Sequence, residues 1–244
     1  MTNLDLESEW EEMAPHWIKH MRETSNSTRE VQLDPPMLEQ CGDVTGLRVV
    51  DLGCGEGRFT RKLVRCGAGK VLGLDKSETM VQAEKELQTG NDEYRIEDVQ
   101  DLGCLADTSF DLAVSYLNQC DLPDFNANTR EVYRILKPGG RFVISNLHPM
   151  RSATGLWCKN EAGEKKHVTV DKYFNEGIRR WTIMEVELTN FHRILEIYVN
   201  AYISTGFTIE KIIEPSVSLE TLEKYPELDD EIRVPNFIIF TLRK

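Results

Sequence analysis

The sequence contains no apolar run of about 18 residues or more, the length that a membrane-spanning helix needs. Its first ten residues are acidic and lack the apolar segment of a secretory signal peptide. Six cysteines lie scattered along the 244 residues without a C-x-x-C pair, which disfavours a zinc site or a disulfide framework. These absences predict a cytoplasmic protein in a reducing environment, with no metal ligands and no membrane contact.

Clustered positive charge is also missing from the chain. Lysine and arginine number 29 against 41 aspartate and glutamate residues, for a formal net charge of −12. Proteins that bind a phosphate backbone use stripes of basic residues, and only short groups such as Lys165-Lys166 occur here. The composition therefore disfavours nucleic acid as a partner and leaves small molecules as the expected ligands.

The most informative feature that is present is an apolar strand followed by three closely spaced glycines. The strand ends at Asp51-Leu52, and Gly53, Gly55 and Gly57 follow with the spacing G-x-G-x-G before a predicted helix. Asp75 follows Asp51 by 24 positions and ends a second apolar strand. In doubly wound α/β folds, this arrangement holds an adenosine-containing cofactor, because the glycines admit the ligand and the acid accepts the ribose hydroxyls.

The spacing of the glycines bears on which cofactor is bound. A nicotinamide or flavin dinucleotide is held by G-x-G-x-x-G, so the third glycine here is misplaced for that class. An ordinary βαβ turn with chance glycines is the remaining alternative. The residues by themselves favour a cofactor other than a dinucleotide.

Predicted strands and helices alternate through the middle of the chain, which indicates a parallel sheet covered on both faces. The predicted strands are 47–52, 70–75, 93–97, 110–115 and 141–146, and the predicted helices are 57–66, 77–88 and 127–136. Ser77 is the expected N-cap of the second of these helices. Lys137-Pro138-Gly139-Gly140 is expected to form a turn.

The two ends of the chain follow other patterns. Before the core we predict a helix at 4–22 that Pro15 kinks or divides, a loop at 23–34, and a short helix from Pro35 to Cys41. After it come an irregular segment at 150–190 with a single strand-like stretch at 181–188, a helix at 193–205 that Gly206 ends, strands at 207–213 and 236–242, and an acidic loop at 219–231.

The string Asp51-Leu52-Gly53-Cys54-Gly55-Glu56-Gly57 strongly resembles motif I of the class I S-adenosylmethionine (SAM)-dependent methyltransferases. Asp121-Leu122-Pro123-Asp124 and the run from Arg134 to Gly140 are similar to the small-molecule, ubiquinone/menaquinone-methylase-like group. The resemblance covers 47–148 and, more loosely, 193–244. It implies a doubly wound, Rossmann-like seven-stranded α/β sheet, mostly parallel with an antiparallel last strand and helices on both faces.

The resemblance also implies how the chain is organised. It predicts an N-terminal helical lid at 1–46, a SAM-binding core at 47–148, an acceptor-side insert at 149–192, and a closing helix and strand pair at 193–244. Trp10, His16, Trp17 and His20 would then form the lid, with a helix docked on the sheet edge as the alternative.

By resemblance, SAM is the cofactor and S-adenosylhomocysteine (SAH) its product. The glycine loop would contact the methionyl group and ribose, Asp51 the ammonium, Asp75 the ribose, and Asp98 with Val99 the adenine. Asp51 could instead serve as a helix-cap partner, Met80 as a core residue, and Glu97 could replace Asp98. The predicted cofactor contacts are Asp51, Gly53, Cys54, Gly55, Gly57, Asp75, Lys76, Met80, Asp98, Val99 and Ser115.

Methyl transfer is an in-line displacement, so alignment and exclusion of water do most of the work, and a base is needed only for an acceptor that must lose a proton. His148, at the end of the fifth predicted strand, and His192 are the predicted catalytic residues, with a backbone-bonded loop residue and a helix cap as their alternatives. Tyr173, Trp181 and Tyr198 would wall the acceptor pocket or belong to the core.

We therefore predict a SAM-dependent methyltransferase that acts on an oxygen or nitrogen, less readily a carbon, of a small metabolite. The segment after the fourth strand lacks both the Asn/Asp-Pro-Pro-Tyr/Phe motif of amine-methylating DNA enzymes and the Pro-Cys pair of cytosine-C5 enzymes. Two alternatives stay open: a partner subunit that binds SAM or SAH without catalysis, and a protein or nucleic-acid methyltransferase.

Overall fold

The computed structural model of the protein describes residues 6–24, 28–153 and 156–244. Its strands are β1 (Arg48–Leu52), β2 (Lys70–Asp75), β3 (Asp92–Ile96), β4 (Phe110–Tyr116), β5 (Leu136–Leu147), β6 (Leu156–Lys159), β7 (Lys165–Thr169), β8 (Gly177–Ile183), β9 (Val186–His192), β10 (Thr208–Ile213) and β11 (Phe237–Arg243). Its α-helices are α1 (Leu6–Glu23), α2 (Asp34–Cys41), α3 (Arg58–Arg65), α4 (Glu78–Lys85), α5 (Phe125–Ile135), α6 (Pro149–Ala153), α7 (Leu195–Thr205) and α8 (Leu219–Lys224).

Seven strands form one sheet in the order β10-β11-β5-β4-β1-β2-β3. Neighbours from β5 to β3 pair in parallel, whereas β11 is antiparallel to both β5 and β10. The predicted fold class, a mostly parallel seven-stranded sheet with an antiparallel last strand, is confirmed. The order reverses between β1 and β4, which is where α/β sheets of this kind bind ligands.

Both faces of the sheet are buried, as its apolar strands predict. On one face, Val49, Val71 and Leu112 lie side by side in register and pack with Leu33, Met37 and Leu63 of the helical segments before and after β1. The other face packs against α5 and α7 through a larger cluster that includes Val132, Tyr198, Tyr202, Phe142 and Phe240. Tyr198 is therefore a core residue, one of its two predicted alternatives.

The N-terminal region is more helical than the sequence pattern predicts. Helix α1 runs through Pro15 without division, because Met13 and Ala14 beside it are fully buried and anchor the turn. The predicted loop at 23–34 is wrong over 28–33, which forms a π-helical turn that runs directly into α2. Its last residues, Gln32 and Leu33, are buried, so packing overrides the polar composition. Residues 1–5 and 25–27 of the predicted lid lie outside the described residues.

The segment expected to be irregular, 150–190, holds two antiparallel hairpins, β6–β7 and β8–β9. The single strand predicted at 181–188 is wrong, because a two-residue turn at Met184 and Glu185 divides it. Both residues have positive φ, 48° and 69°, as two-residue hairpin loops require. Glycine, asparagine and aspartate usually occupy such positions, so Met184 and Glu185 did not indicate a turn in the sequence. Residues 154–155 of this segment lie outside the described residues.

Smaller differences concern the elements around the closing strands. The acidic loop predicted at 219–231 is wrong, since α8 and a 3₁₀ turn at Pro226–Ile232 occupy it. Ser218 caps α8 by accepting a hydrogen bond from the Thr221 N–H at 3.1 Å. Strand β5 begins at Leu136 rather than at 141, so the predicted glycine turn lies within its irregular first part.

Within the described ranges 6–24, 28–153 and 156–244, no helix combines the length and the apolar character required to cross a membrane. The same ranges contain no group of three or more histidine, cysteine, aspartate or glutamate side chains placed to hold a metal ion.

Candidate functional site

A cavity of about 470 Å³ opens at the carboxyl ends of β1, β2 and β4. Its floor is the loop 53–56, its sides are the segments 75–77, 97–100 and 116–123, and α1 lies along its remaining wall. Of the predicted cofactor contacts, those that line it are Asp51, Gly53, Cys54, Gly55, Asp75, Lys76, Met80, Asp98 and Val99. Gly57 and Ser115 do not line it. A volume of this size is typical of a small-molecule site.

The glycine loop folds back over the end of β2. Gly53 and Cys54 both donate their backbone N–H to the carbonyl of Leu74, at 2.8 and 3.0 Å. The loop glycines have positive φ, and a Cβ at Gly53 would lie 2.2 Å from the side-chain nitrogen of Asn118. Gly57 opens α3 at φ 76°, so its role is to turn the chain into the helix. These contacts leave the backbone of the loop as the cavity floor.

Asp75 stands at the end of β2, where the sequence predicts a ribose contact. Its Oδ2 accepts the Gly55 N–H at 2.8 Å and its Oδ1 accepts the Ser77 N–H at 3.0 Å. Burial raises the pKa of this carboxyl against the effect of these hydrogen bonds. A carboxylate offers about four acceptor sites, so the pair of oxygens retains capacity for two further hydroxyl donors.

Asp51, at the end of β1, is fully buried beside the loop. Its Oδ2 accepts the Thr60 hydroxyl at 2.7 Å, and its Oδ1 has no hydrogen-bond partner among the described residues. Burial raises the pKa of the Asp51 carboxyl to about 6. A buried carboxylate oxygen without a partner suits a cationic ligand group, because such a group replaces the solvation that burial removes.

Asp98 is the third acidic residue that was predicted to contact the cofactor. Asp98 Oδ1 accepts the Gln100 N–H at 2.9 Å, and Lys76 Nζ lies 3.5 Å from Asp98 Oδ2 and 3.3 Å from Glu7 of α1. Burial opposes ionisation of Asp98, but these hydrogen bonds and the lysine lower its pKa. Glu97 and Val99 also line the cavity, so both acidic alternatives for the adenine contact, Asp98 and Glu97, stay predictions.

Helix α1 lies over the cavity and is hydrogen-bonded to elements on two sides of it. Trp10 and Trp17 line the cavity, with their rings in an edge-to-face contact at 6.2 Å. Glu11 accepts the Ser77 hydroxyl at 2.5 Å and the Thr79 N–H at 3.0 Å, at the start of α4. Glu9 accepts the backbone N–H of Thr189 in β9 at 2.8 Å. The lid stays a prediction; of its four named residues, Trp10 and Trp17 line the cavity and His16 and His20 do not.

The two predicted catalytic histidines lie outside the cavity. His148 Nδ1 accepts the Met150 N–H at 3.1 Å, and its Nε2 contacts Glu214 at 2.9 Å. His192 is fully buried and bonds Ser152 at 2.7 Å and the carbonyl of Tyr173 at 2.8 Å. Burial lowers the pKa of both imidazoles. Their catalytic role stays a prediction, and the geometry gives it no support because both nitrogens of each ring are engaged.

The end of β4 presents Tyr116 rather than Ser115 to the cavity. Ser115 is fully buried, and its hydroxyl has no hydrogen-bond partner among the described residues. Tyr116 donates its hydroxyl to Asp34 at 2.9 Å. Tyr173 and Trp181, predicted as acceptor walls, do not line the cavity either. The aromatic residues that line the cavity therefore come from β4, α1 and α3 rather than from the insert.

Sequence reasoning gave no role to several charged residues that line the cavity, among them Arg29 and Asp121. The Arg29 guanidinium lies 4.9 Å from the ring of Trp17 and 5.3 Å from that of Tyr116. Asp121 enters from the 3₁₀ turn after β4. Nothing in the polar segment around Arg29 marks it as a ligand, whereas Asp121 belongs to the string Asp121-Leu122-Pro123-Asp124, which supported the resemblance but was given no role.

Comparisons with known proteins agree with this geometry. Residues 50–144 match the family described as a methyltransferase domain. The chain is 34% identical to a SAM-dependent methyltransferase from Mesorhizobium loti, whose crystal structure superimposes with a TM-score of 0.79 over 86% of this chain and 96% of that one. The fold and the site thus define a SAM-dependent methyltransferase.

Two curated relatives add to this result. The chain is 35% identical to the demethylmenaquinone methyltransferase of Lactococcus lactis over 50% of its own length, and 34% identical to a ubiquinone biosynthesis O-methyltransferase of Xanthomonas oryzae over 47%. These matches span about half the length of either relative, 53% and 48%. Together with the structural likeness, they show that the chain belongs to the class I SAM-dependent methyltransferases.

Proposed function

We propose that this enzyme transfers the methyl group of SAM to an oxygen or nitrogen atom of a small metabolite. The observation that carries the proposal is the partial cover that α1 gives the cavity. A single space of about 470 Å³ adjoins the glycine loop and the end of β4, and α1 lies over it. A covered space of this size suits a cofactor and a compact acceptor, whereas a polymer requires an open groove.

The charges that line the cavity match the charges of SAM. We assign the ribose hydroxyls to Asp75, the ammonium to Asp51, whose Oδ1 has no partner among the described residues, and the adenine to Asp98 with Val99. Arg29 is the residue that we assign to the carboxylate, because it is a cation on the same side of the cavity as Trp17, which approaches the glycine loop. When bound, SAM supplies an electrophilic methyl group on a sulfonium.

The protein's own contribution is alignment and the exclusion of water. Trp10 and Trp17 wall the cavity, and Glu9 and Glu11 attach α1 to β9 and to the start of α4. Fixing an acceptor beside the donor converts a bimolecular reaction into a unimolecular one, and expelling water prevents hydrolysis. We therefore propose that the described part of this region, 6–24 and 28–46, acts as the predicted lid over the core at 47–148.

Three observations support a small molecule as the methyl acceptor. The net charge of −12 disfavours a phosphate backbone. Two relatives to which the chain is similar are named a demethylmenaquinone methyltransferase and a ubiquinone biosynthesis O-methyltransferase, and neither name denotes a polymer as the acceptor. Finally, the aromatic side chains Trp10, Trp17 and Tyr116 all face the cavity and favour an acceptor with an apolar or aromatic part.

Titration calorimetry with SAM, SAH and NAD tests the cofactor half of the proposal. We expect micromolar binding of SAM and SAH and none of NAD; binding of NAD alone would refute the assignment. The acceptor half is tested by following SAH formation with panels of phenols, amines and carboxylic acids. Release of SAH with a protein or nucleic-acid substrate and with no small molecule would contradict it.

A further inference from the structure

Asp121 occupies a position that the assignments above leave without a role. It ends the 3₁₀ turn Gln119–Asp121, which follows β4, and it lines the cavity together with Tyr116 and Asn118. Its side chain thus faces the same space as the cofactor loop, yet it lies on the β4 side, away from the ribose position at Asp75. An acid in this place faces the acceptor rather than the adenosine.

Neighbouring residues hold Asp121 at the wall of the cavity. Asn190 of β9 donates its side-chain N–H to Oδ1, and the thiol of Cys120 lies 3.6 Å from the same atom. Arg193 fixes the chain on either side of Asp121 by donating to the carbonyls of Leu122 and Gln119. These contacts hold the Asp121 carboxylate in place beside the cavity that it lines.

The charges around Asp121 come from several elements. Arg29 favours its ionised form, whereas Asp75 at the end of β2 opposes it. The neighbouring thiol of Cys120 and the amide of Asn190 favour the ionised form through hydrogen bonds. Burial is the largest effect, and it raises the pKa of the Asp121 carboxyl to about 7. A group that titrates near neutral pH can both accept a proton and release it to solvent.

We propose that Asp121 is the general base of this enzyme and that Asn190 is its positioning residue. The proposal rests on the proposed function, transfer to an oxygen or nitrogen of a small molecule. As the acceptor's lone pair forms the new bond to the methyl carbon, the carbon–sulfur electron pair stays on sulfur. The acceptor's O–H or N–H proton passes to the carboxylate of Asp121 and then leaves to solvent.

Two aspartate variants in one loop provide the test. Asp121→Asn removes the base but keeps the size of the side chain, whereas Asp124→Asn is a matched control, because Asp124 caps α5 through the Ala127 N–H at 2.9 Å and asparagine caps equally well. We expect Asp121→Asn to lower kcat by about 10²- to 10⁴-fold, the range for a general base, with SAH affinity unchanged. Asp124→Asn should retain wild-type kcat.

The pH profile separates a base from a merely structural residue. With the wild type, kcat/KM should rise through about pH 7 as Asp121 loses its proton, and Asp121→Asn should lack this rise. Asn190→Ala removes a hydrogen bond that favours the ionised form, so it should shift the rise to higher pH. An Asp121→Asn enzyme with wild-type kcat and an unchanged profile would overturn the proposal.

A measurement without an acceptor keeps the two proposals distinguishable. In the SAH complex of the protein labelled with ¹³C at aspartate carboxyls, the signal absent from Asp121→Asn should titrate between about pH 6 and 8. A carboxyl that remains ionised below about pH 5, the ordinary range for aspartate, would overturn the assignment of the base. Absence of SAH release by the wild type with every panel compound would instead contradict the proposed function.

Discussion

Replacing Asp75 with alanine is the sharpest test of how the cavity holds its cofactor. In the structure its two oxygens already order the loop, through the N–H groups of Gly55 and Ser77 at 2.8 and 3.0 Å. We assign the remaining acceptor capacity to the ribose hydroxyls. A hydrogen bond to a charged group contributes about 1.5–3 kcal/mol, and a tenfold change in affinity corresponds to about 1.4 kcal/mol.

Two ribose bonds would be lost in Asp75→Ala, and water entering the vacated space would restore part of their contribution. We therefore expect the affinities for SAM and SAH to fall about 10- to 100-fold in titration calorimetry. Asp75→Asn keeps one carbonyl acceptor and should lose less than the alanine variant.

Asp101→Ala is the matched control, because Asp101 also accepts a backbone N–H, from Gly103 at 3.1 Å, but does so on an exposed turn outside the cavity. Its SAM affinity should equal that of the wild type. Circular dichroism would verify that each variant is folded. An Asp75→Ala protein that binds SAM within about threefold of the wild type would refute the ribose assignment.

Three further predictions concern charged residues at or below the glycine loop. Arg29→Ala should weaken SAH binding but leave binding of 5′-methylthioadenosine, which lacks the carboxylate, unchanged; equal losses for both ligands in calorimetry would argue against the carboxylate contact. Asp51→Asn should raise the melting temperature at pH 7 by about 2–6 °C while SAM binding is lost, because burial holds the pKa of Asp51 at about 6 and its ionisation destabilises the fold. Burial raises the pKa of Glu84 to about 9, so its contribution to stability is full below about pH 4.5 and is lost as the pH rises to about 9. Glu84→Gln should therefore gain stability relative to the wild type from pH 5 to pH 8 in thermal unfolding, and a constant difference would disprove this assignment.

The core elements could be predicted closely because their signals are local. Strands β1 and β2 lie within a residue of the predicted 47–52 and 70–75, since apolar runs bounded by polar residues and glycine define them. Ser77 caps α4 as expected, accepting the Met80 N–H at 3.1 Å, and Gly206 ends α7 in the left-handed conformation. Each of these features depends on residues only a few positions apart.

The elements that the sequence pattern predicted wrongly are those whose structure depends on distant contacts. The helical turn at 28–33 forms because Gln32 donates to the carbonyl of Pro215 at 3.0 Å and Leu33 enters the core. The β8–β9 hairpin turns at Met184 and Glu185, two residues without a turn preference, and Glu9 of α1 pairs with its second strand. From their polar composition alone, such segments are predicted to be loops.

The cofactor half of the site was recognisable from sequence because its residues lie within short motifs. Asp51, the glycine loop, Asp75 and Asp98 each lie at or just after a strand end, and parallel strands bring those ends to one edge of the sheet. The spacing of glycines and acids therefore indicated an adenosine-containing cofactor other than a dinucleotide, and the resemblance of the motif to class I methyltransferases implied that this cofactor is SAM.

The rest of the cavity was decided only by the tertiary structure. Residues distant in sequence meet there: Arg29 lies against Trp17 and Tyr116, and Asn190 orients Asp121 across the turn after β4. The same packing places His148 and His192 outside the cavity, although the sequence analysis predicted each of them as a catalytic base. Local pattern determines where strands end. The side chains that surround the cavity depend on how separate elements pack, as the contacts of α1 and of Asn190 in β9 illustrate.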